Sequence, residues 1–179
     1  MTVTAPALFC MFMLLCTTGW CTDRASVGVN LHQLPQDWRE DSGEPLPLAR
    51  LLGHRVVMTM AYAGCHRVCP AAIEALRQMQ QRADARGEVI EFVIVGYDPV
   101  NDTPGVWHRF RSNRHLDRAN WHFLYGPAAA VERLAGQLGF PFWKYDEHFI
   151  HESRAVLFDA QGDERDALVP PAARWPDAL

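Results

Sequence analysis
The chain has 179 residues, 49% of them apolar and 21% charged, which are globular proportions and exclude a disordered chain. Its formal charge is −4, and Lys144 is the only lysine, so no basic patch is present that could neutralise a phosphate backbone and no nucleic-acid partner is expected. At this length folding hides roughly 70% of the unfolded chain's surface, so one domain can stand without a disulfide framework or a structural zinc.

The run from Ala7 to Cys16 is apolar and uncharged. It is shorter than the ~20 residues that span a bilayer but fits the apolar core of a secretory signal. Residues 1–21 are therefore expected to form an export signal. Met1 to Pro6 holds no Lys or Arg, so a buried N-terminal helix is one alternative. A lipoprotein signal acylated at Cys16 or Cys21 is another. Either form of export predicts a protein in the periplasm or anchored on the outer face of the cytoplasmic membrane.

Residues 22–45 are polar and turn-rich and are expected to wrap onto the domain edge. Residues 55–62 read as a buried strand. A helix is expected from Pro70, whose missing N–H costs nothing in a first turn, through Ile73, Leu76 and Met79 to near Gly87. Residues 89–95 form a second β-rich run. Thr103-Pro104 opens a second helix through Trp107, Phe110 and Arg111, and residues 121–125 follow as a short strand. A third helix begins at Pro127, carries Val131, Leu134 and Leu138, and stops at Gly139. Residues 155–158 turn through 160–163 into a hairpin with Leu168-Val169. The order β-α-β-α-β-α-β-β predicts an α/β fold with a central sheet and crossover helices. Residues 170–179, rich in proline, are expected to be a loose tail.

Five cysteines fall in two groups: Cys10, Cys16 and Cys21 in the first segment, Cys65 and Cys69 in the body. Loss of residues 1–21 would leave one pair. Cys65-His66-Arg67-Val68-Cys69-Pro70 sits where the first strand meets the first helix. A helix N-terminus stabilises thiolates, and residues i and i+4 share a helical face. Two thiolates select Cu(I), zinc or iron–sulfur over hard cations. The same pair can also close a structural disulfide, or act as a redox pair in which Cys65 attacks a partner disulfide and Cys69 resolves the product. A third ligand is sought among eight histidines, most of them expected at the surface, including His108, His115 and His122. His66 lies between the cysteines. His148 and His151 lie in a loop ahead of residues 155–158, and His151 is the preferred ligand.

These residues resemble the Sco/SenC family, thioredoxin-like copper proteins that help metallate the binuclear copper centre of cytochrome c oxidase. Cys65 to Pro70 is similar to the family's CxxxCP, and Asp98-Pro99-Val100-Asn101-Asp102-Thr103-Pro104 to its DPxxDTP. His151 stands eight residues before Asp159 and eleven before Gly162, as the family's metal-binding histidine does. The resemblance covers about residues 46–166. It implies a thioredoxin-like domain over 22–169, with a central mixed sheet, flanking helices and a C-terminal β-hairpin. It also implies a copper ion, Cu(I) or Cu(II), held by Cys65, Cys69 and His151 and delivered to an oxidase subunit or another copper protein. A thiol–disulfide reductant is a further implied partner. Three departures stand out: Ile150 replaces the family's usual Asp before the histidine, His66 replaces a common Pro, and residues 172–179 replace a closing helix. A thiol–disulfide oxidoreductase with Cys65 and Cys69 as its redox pair is the alternative, although residues 147–157 hold no proline of the kind that usually faces a CxxC pair. A peroxidase would need support around one dominant cysteine that the sequence does not display.

Overall fold
Arg55–Ala61 (β2) is apolar at almost every position and buried from Val56 onward, as a strand covered on both faces must be. It pairs in parallel with Ile90–Gly96 (β3), Val57 opposite Phe92 and Thr59 opposite Ile94. The computed structural model describes residues 28–64, 69–146, 148–168 and 174; the side chains of Cys69 and His148 lie outside that description.

Among the described residues, six strands form one mixed sheet in the order β1-β4-β3-β2-β7-β8. Trp121–Tyr125 (β4) runs parallel to β3, and Arg39–Glu40 (β1) closes that edge antiparallel to β4. On the other side Ala155–Phe158 (β7) runs antiparallel to β2, followed by Glu164–Leu168 (β8). The β runs read from the sequence at 55–62, 89–95 and 155–158 lie side by side as β2, β3 and β7, in the order β3-β2-β7. The described part of the polar N-terminal stretch, residues 28–45, contributes β1 at the sheet edge, and a 3-10 helix follows at Leu48–Leu51.

Among the described residues, three α-helices flank the sheet. Cys69–Arg86 (α1) buries Ile73, Leu76, Met79 and Ala83, a stripe at helical spacing. Pro104–Ser112 (α2) starts with Pro at its first position after Thr103 and seats Trp107 and Phe110 against Phe123 of β4. Ala128–Leu138 (α3) ends at Gly139, whose φ of 65° is the left-handed stop that glycine adopts without penalty.

One segment departs from expectation. The stretch carrying His148 and His151 is no loop: Phe142–Tyr145 (β5) and His148–His151 (β6) pair antiparallel as a separate two-stranded ribbon. Its pairs are Phe142 with His151, Trp143 with Ile150 and Lys144 with Phe149. Strand geometry sends alternate side chains to opposite faces. Phe142, Phe149 and His151 pack against aromatic rings of the domain, while Trp143 and Ile150 are exposed. Residues 1–27, 169–173 and 175–179, including the expected export signal and most of the tail, lie outside the described residues.

Candidate metal and thiol site
The site lies beyond the carboxyl ends of β2 and β3, where two parallel strands release their chain into loops and where α/β sheets commonly bind ligands. Tyr62 follows β2 directly and Tyr97 follows β3 directly. The Tyr97 N–H donates to the Ala61 carbonyl (2.8 Å), so the two strand ends leave the sheet together.

The β5–β6 ribbon lies across this end and brings His151 to both tyrosines. The imidazole meets the Tyr62 ring edge-on with centroids 5.7 Å apart, and the Tyr97 ring at 4.8 Å and 37°. Tyr97 also contacts Phe142 (4.9 Å), and Tyr62 contacts Phe149 (5.6 Å). Tyr62 stands three residues before Cys65, and Tyr97 stands one before Asp98. The ends of β2 and β3 and the ribbon therefore meet around one imidazole.

His151 Nδ1 lies 3.2 Å from the Glu152 carbonyl oxygen. A carbonyl has no proton to give, so Nδ1 is the donor in this contact. A ligating histidine commonly donates its other ring N–H to a carbonyl or carboxylate in this way. An imidazole nitrogen suits copper, zinc, iron or nickel, and the half-buried His151 presents its ring beside an aromatic wall.

Asp98 to Pro104 is held by its own carboxylates. Asp98 accepts hydrogen bonds from the N–H groups of Val100 and Asn101 (both 3.2 Å) and from the Asn101 amide (2.7 Å). Asp102, 2% exposed, accepts from the Ala63 N–H (2.9 Å) and the Asp98 N–H (3.0 Å). It thus ties the chain just before Cys65 to the loop after β3. Only glycine permits this approach at position 96, because a Cβ there would stand 2.8 Å from the Asp102 carboxylate. Burial pushes the Asp102 pKa up to about 7, against the opposing pull of its two N–H donors.

Of the residues singled out in the sequence, His151 ends β6, His148 begins it and Cys69 begins α1. Cys65 and His66, with the side chains of Cys69 and His148, lie outside the described residues. His122 is not a surface residue beside α2. It sits half-buried on β4 between two glutamates, Nδ1 2.5 Å from Glu40 and Nε2 3.0 Å from Glu91. Burial opposes its charge, but the two glutamates outweigh burial and hold its pKa above the usual imidazole value. Among the described residues, no group of three or more His, Cys, Asp or Glu is placed to hold a metal ion.

Tyr62, Tyr97 and Asp102 are the site residues that sequence reasoning missed as such. Tyr62 reads as the end of a buried strand, and Tyr97 falls between the run at 89–95 and the Asp98–Pro104 segment. Asp102 had a signal in its motif, but its burial depends on Gly96.

Fold and site together define a thioredoxin-like α/β protein, with a mixed six-stranded sheet, three helices and a small histidine-bearing ribbon over the carboxyl end of the sheet. The sequence profile described as SCO1/SenC matches residues 34–173, and the chain belongs to that family. No curated protein sequence matches the chain at a significant level. Solved structures share the fold at low identity. A SCO1/SenC family lipoprotein from Bacillus anthracis str. Ames is 20% identical with a TM-score of 0.71, over 79% of this chain and 89% of that one. Arabidopsis thaliana ScoI with copper bound is 15% identical with a TM-score of 0.73, over 86% and 95%. BsSco, described as a member of the Sco family of cytochrome c oxidase assembly proteins with a disulfide switch, is 20% identical with a TM-score of 0.69, over 86% and 96%.

Proposed function
We propose that this chain is an exported copper metallochaperone, in which the thiolates of Cys65 and Cys69 and Nε2 of His151 hold a copper ion. The ion is cargo, passed by ligand exchange to a respiratory oxidase copper centre. The observation that carries this reading is the contact of the His151 imidazole with Tyr62, three residues from Cys65. Copper in the Arabidopsis relative and oxidase assembly in the description of BsSco support the same reading. The working domain spans residues 22–169.

Residues 1–21 act as an export or lipoprotein signal, which places the domain in the periplasm or on the outer face of the cytoplasmic membrane. The lipoprotein nature of the Bacillus anthracis relative is consistent with anchoring. Among the described residues, no helix is long and apolar enough to cross a membrane.

Thiol–disulfide exchange with partner cysteines is less well supported. Ser153 and Arg154, not proline, lead into β7, and the spacing is CxxxC.

Substitution of the two ribbon histidines tests the reading. Cu(II) favours a nitrogen-containing set, so His151→Ala should remove the thiolate-to-copper charge-transfer band while His148→Ala keeps it. Loss of the band in His148→Ala with retention in His151→Ala would overturn the ligand assignment.

A further inference from the structure
We propose that Tyr97 is a positioning residue for His151, performing through its ring the orientation that a neighbouring carboxylate would otherwise supply. The proposal rests on His151 being a copper ligand. The SCO1/SenC resemblance leads one to expect Asp at position 150, where this chain has Ile150. The ribbon's register shows why that position does not orient the imidazole here. Ile150 pairs with Trp143 on the outer face and is 41% exposed, whereas His151 pairs with Phe142 on the face turned to the domain.

The imidazole's contacts include two tyrosine rings and one carbonyl. Tyr97 meets it at 4.8 Å, within the 4.5–7 Å range of favourable aromatic pairs. Tyr97 is itself fixed: it is 1% exposed, its N–H is bonded to Ala61, and its ring is backed by Phe142. A close-packed wall of this kind cannot yield without leaving a void. Tyr62 bounds the imidazole edge-on, and the Glu152 carbonyl takes the Nδ1 proton. Together these contacts fix both the plane of the ring and its tautomer before any metal arrives.

The test uses the reduced, metal-free full chain labelled with 15N-histidine. Wild-type His151 should show a single tautomer protonated at Nδ1, with cross-relaxation between its ring protons and those of Tyr97. Tyr97→Leu should average the two tautomers and weaken Cu(II) binding by about 10–100-fold, the usual effect of losing a residue that orients a ligand. Tyr97→Phe keeps the ring and should recover the wild-type spectrum. Phe92→Leu, a core substitution at the opposite end of β3, controls for stability and should leave the imidazole signals unchanged. A folded Tyr97→Leu protein with an unchanged single tautomer overturns the proposal, as does a wild-type imidazole that already averages both forms. Should Tyr97→Leu fail to fold, the wild-type tautomer and cross-relaxation decide. Cu(II) binding with an intact charge-transfer band in His151→Ala ends the ligand reading, while the metal-free tautomer still judges Tyr97 independently.

Discussion

The Tyr62 ring meets the His151 imidazole edge-on, with centroids 5.7 Å apart and planes at 79°. Tyr62 ends the run that leads into Cys65, and His151 ends a strand more than eighty residues later. Their contact joins the end of β2 to the ribbon. A change that unseats the ribbon should therefore act on metal chemistry before it acts on the core.

Asp102 should make stability depend on pH in the acid-to-neutral range. Its folded-state pKa is raised from 3.8 to about 7. Between those values the folded protein keeps a proton that the unfolded chain has released, so stability falls as pH rises and levels off above about 7. One proton sets the slope at no more than about 1.4 kcal/mol per pH unit. Urea midpoints from pH 4 to 8 should show this decline in the wild type and a flatter profile in Asp102→Asn. The variant should also be less stable at low pH by about 1–3 kcal/mol, because an amide cannot accept from both the Ala63 and Asp98 N–H groups. Equal pH profiles would remove Asp102 from this role.

Much of the architecture was legible because each element carries a local cause. The apolar runs of β2 and β3, Pro104 behind Thr103, and Gly139 at the end of α3 are direct signals. The β5–β6 ribbon was hidden because its outer face also carries apolar residues, Trp143 and Ile150, so the inside–outside alternation that marks a half-buried strand is missing. His151 was legible as a candidate from spacing, but its neighbours were not. Tyr62 and Tyr97 become site residues only when a distant ribbon folds over them. His122 looked like one more surface histidine because Glu40 and Glu91 come from separate strands, joined only in the sheet.

His122 should stabilise the fold in its charged form. Its folded-state pKa is raised, so the contribution is complete below the ordinary imidazole pKa and is lost as pH rises through the raised value. Glu40 and Glu91 face it, and His54 approaches Glu91 at 3.7 Å. His122→Ala should therefore cost more stability at pH 6 than at pH 9, by up to about 1.4 kcal/mol for each pH unit over which its proton is lost. Denaturant unfolding at the two pH values checks this; a cost that is the same or larger at pH 9 would contradict it.

Cys65 and Cys69 should close a disulfide in an oxidising compartment when no metal is bound. From residue 22 onward they are the only cysteines. Thiol titration of that chain after mild oxidation should find almost no free thiol, and two free thiols after reduction. Two thiols that persist through oxidant treatment would argue against a reactive pair.

The central claim, that this chain carries copper on Cys65, Cys69 and His151, is tested most directly by anaerobic Cu(I) titration of the reduced chain from residue 22, with metal counted per chain. Soft thiolate ligands favour Cu(I), so the account predicts one tightly held Cu(I) per chain in the wild type and its loss in Cys65→Ser. Failure of the wild type to retain copper, or retention of the full count by Cys65→Ser, would contradict it.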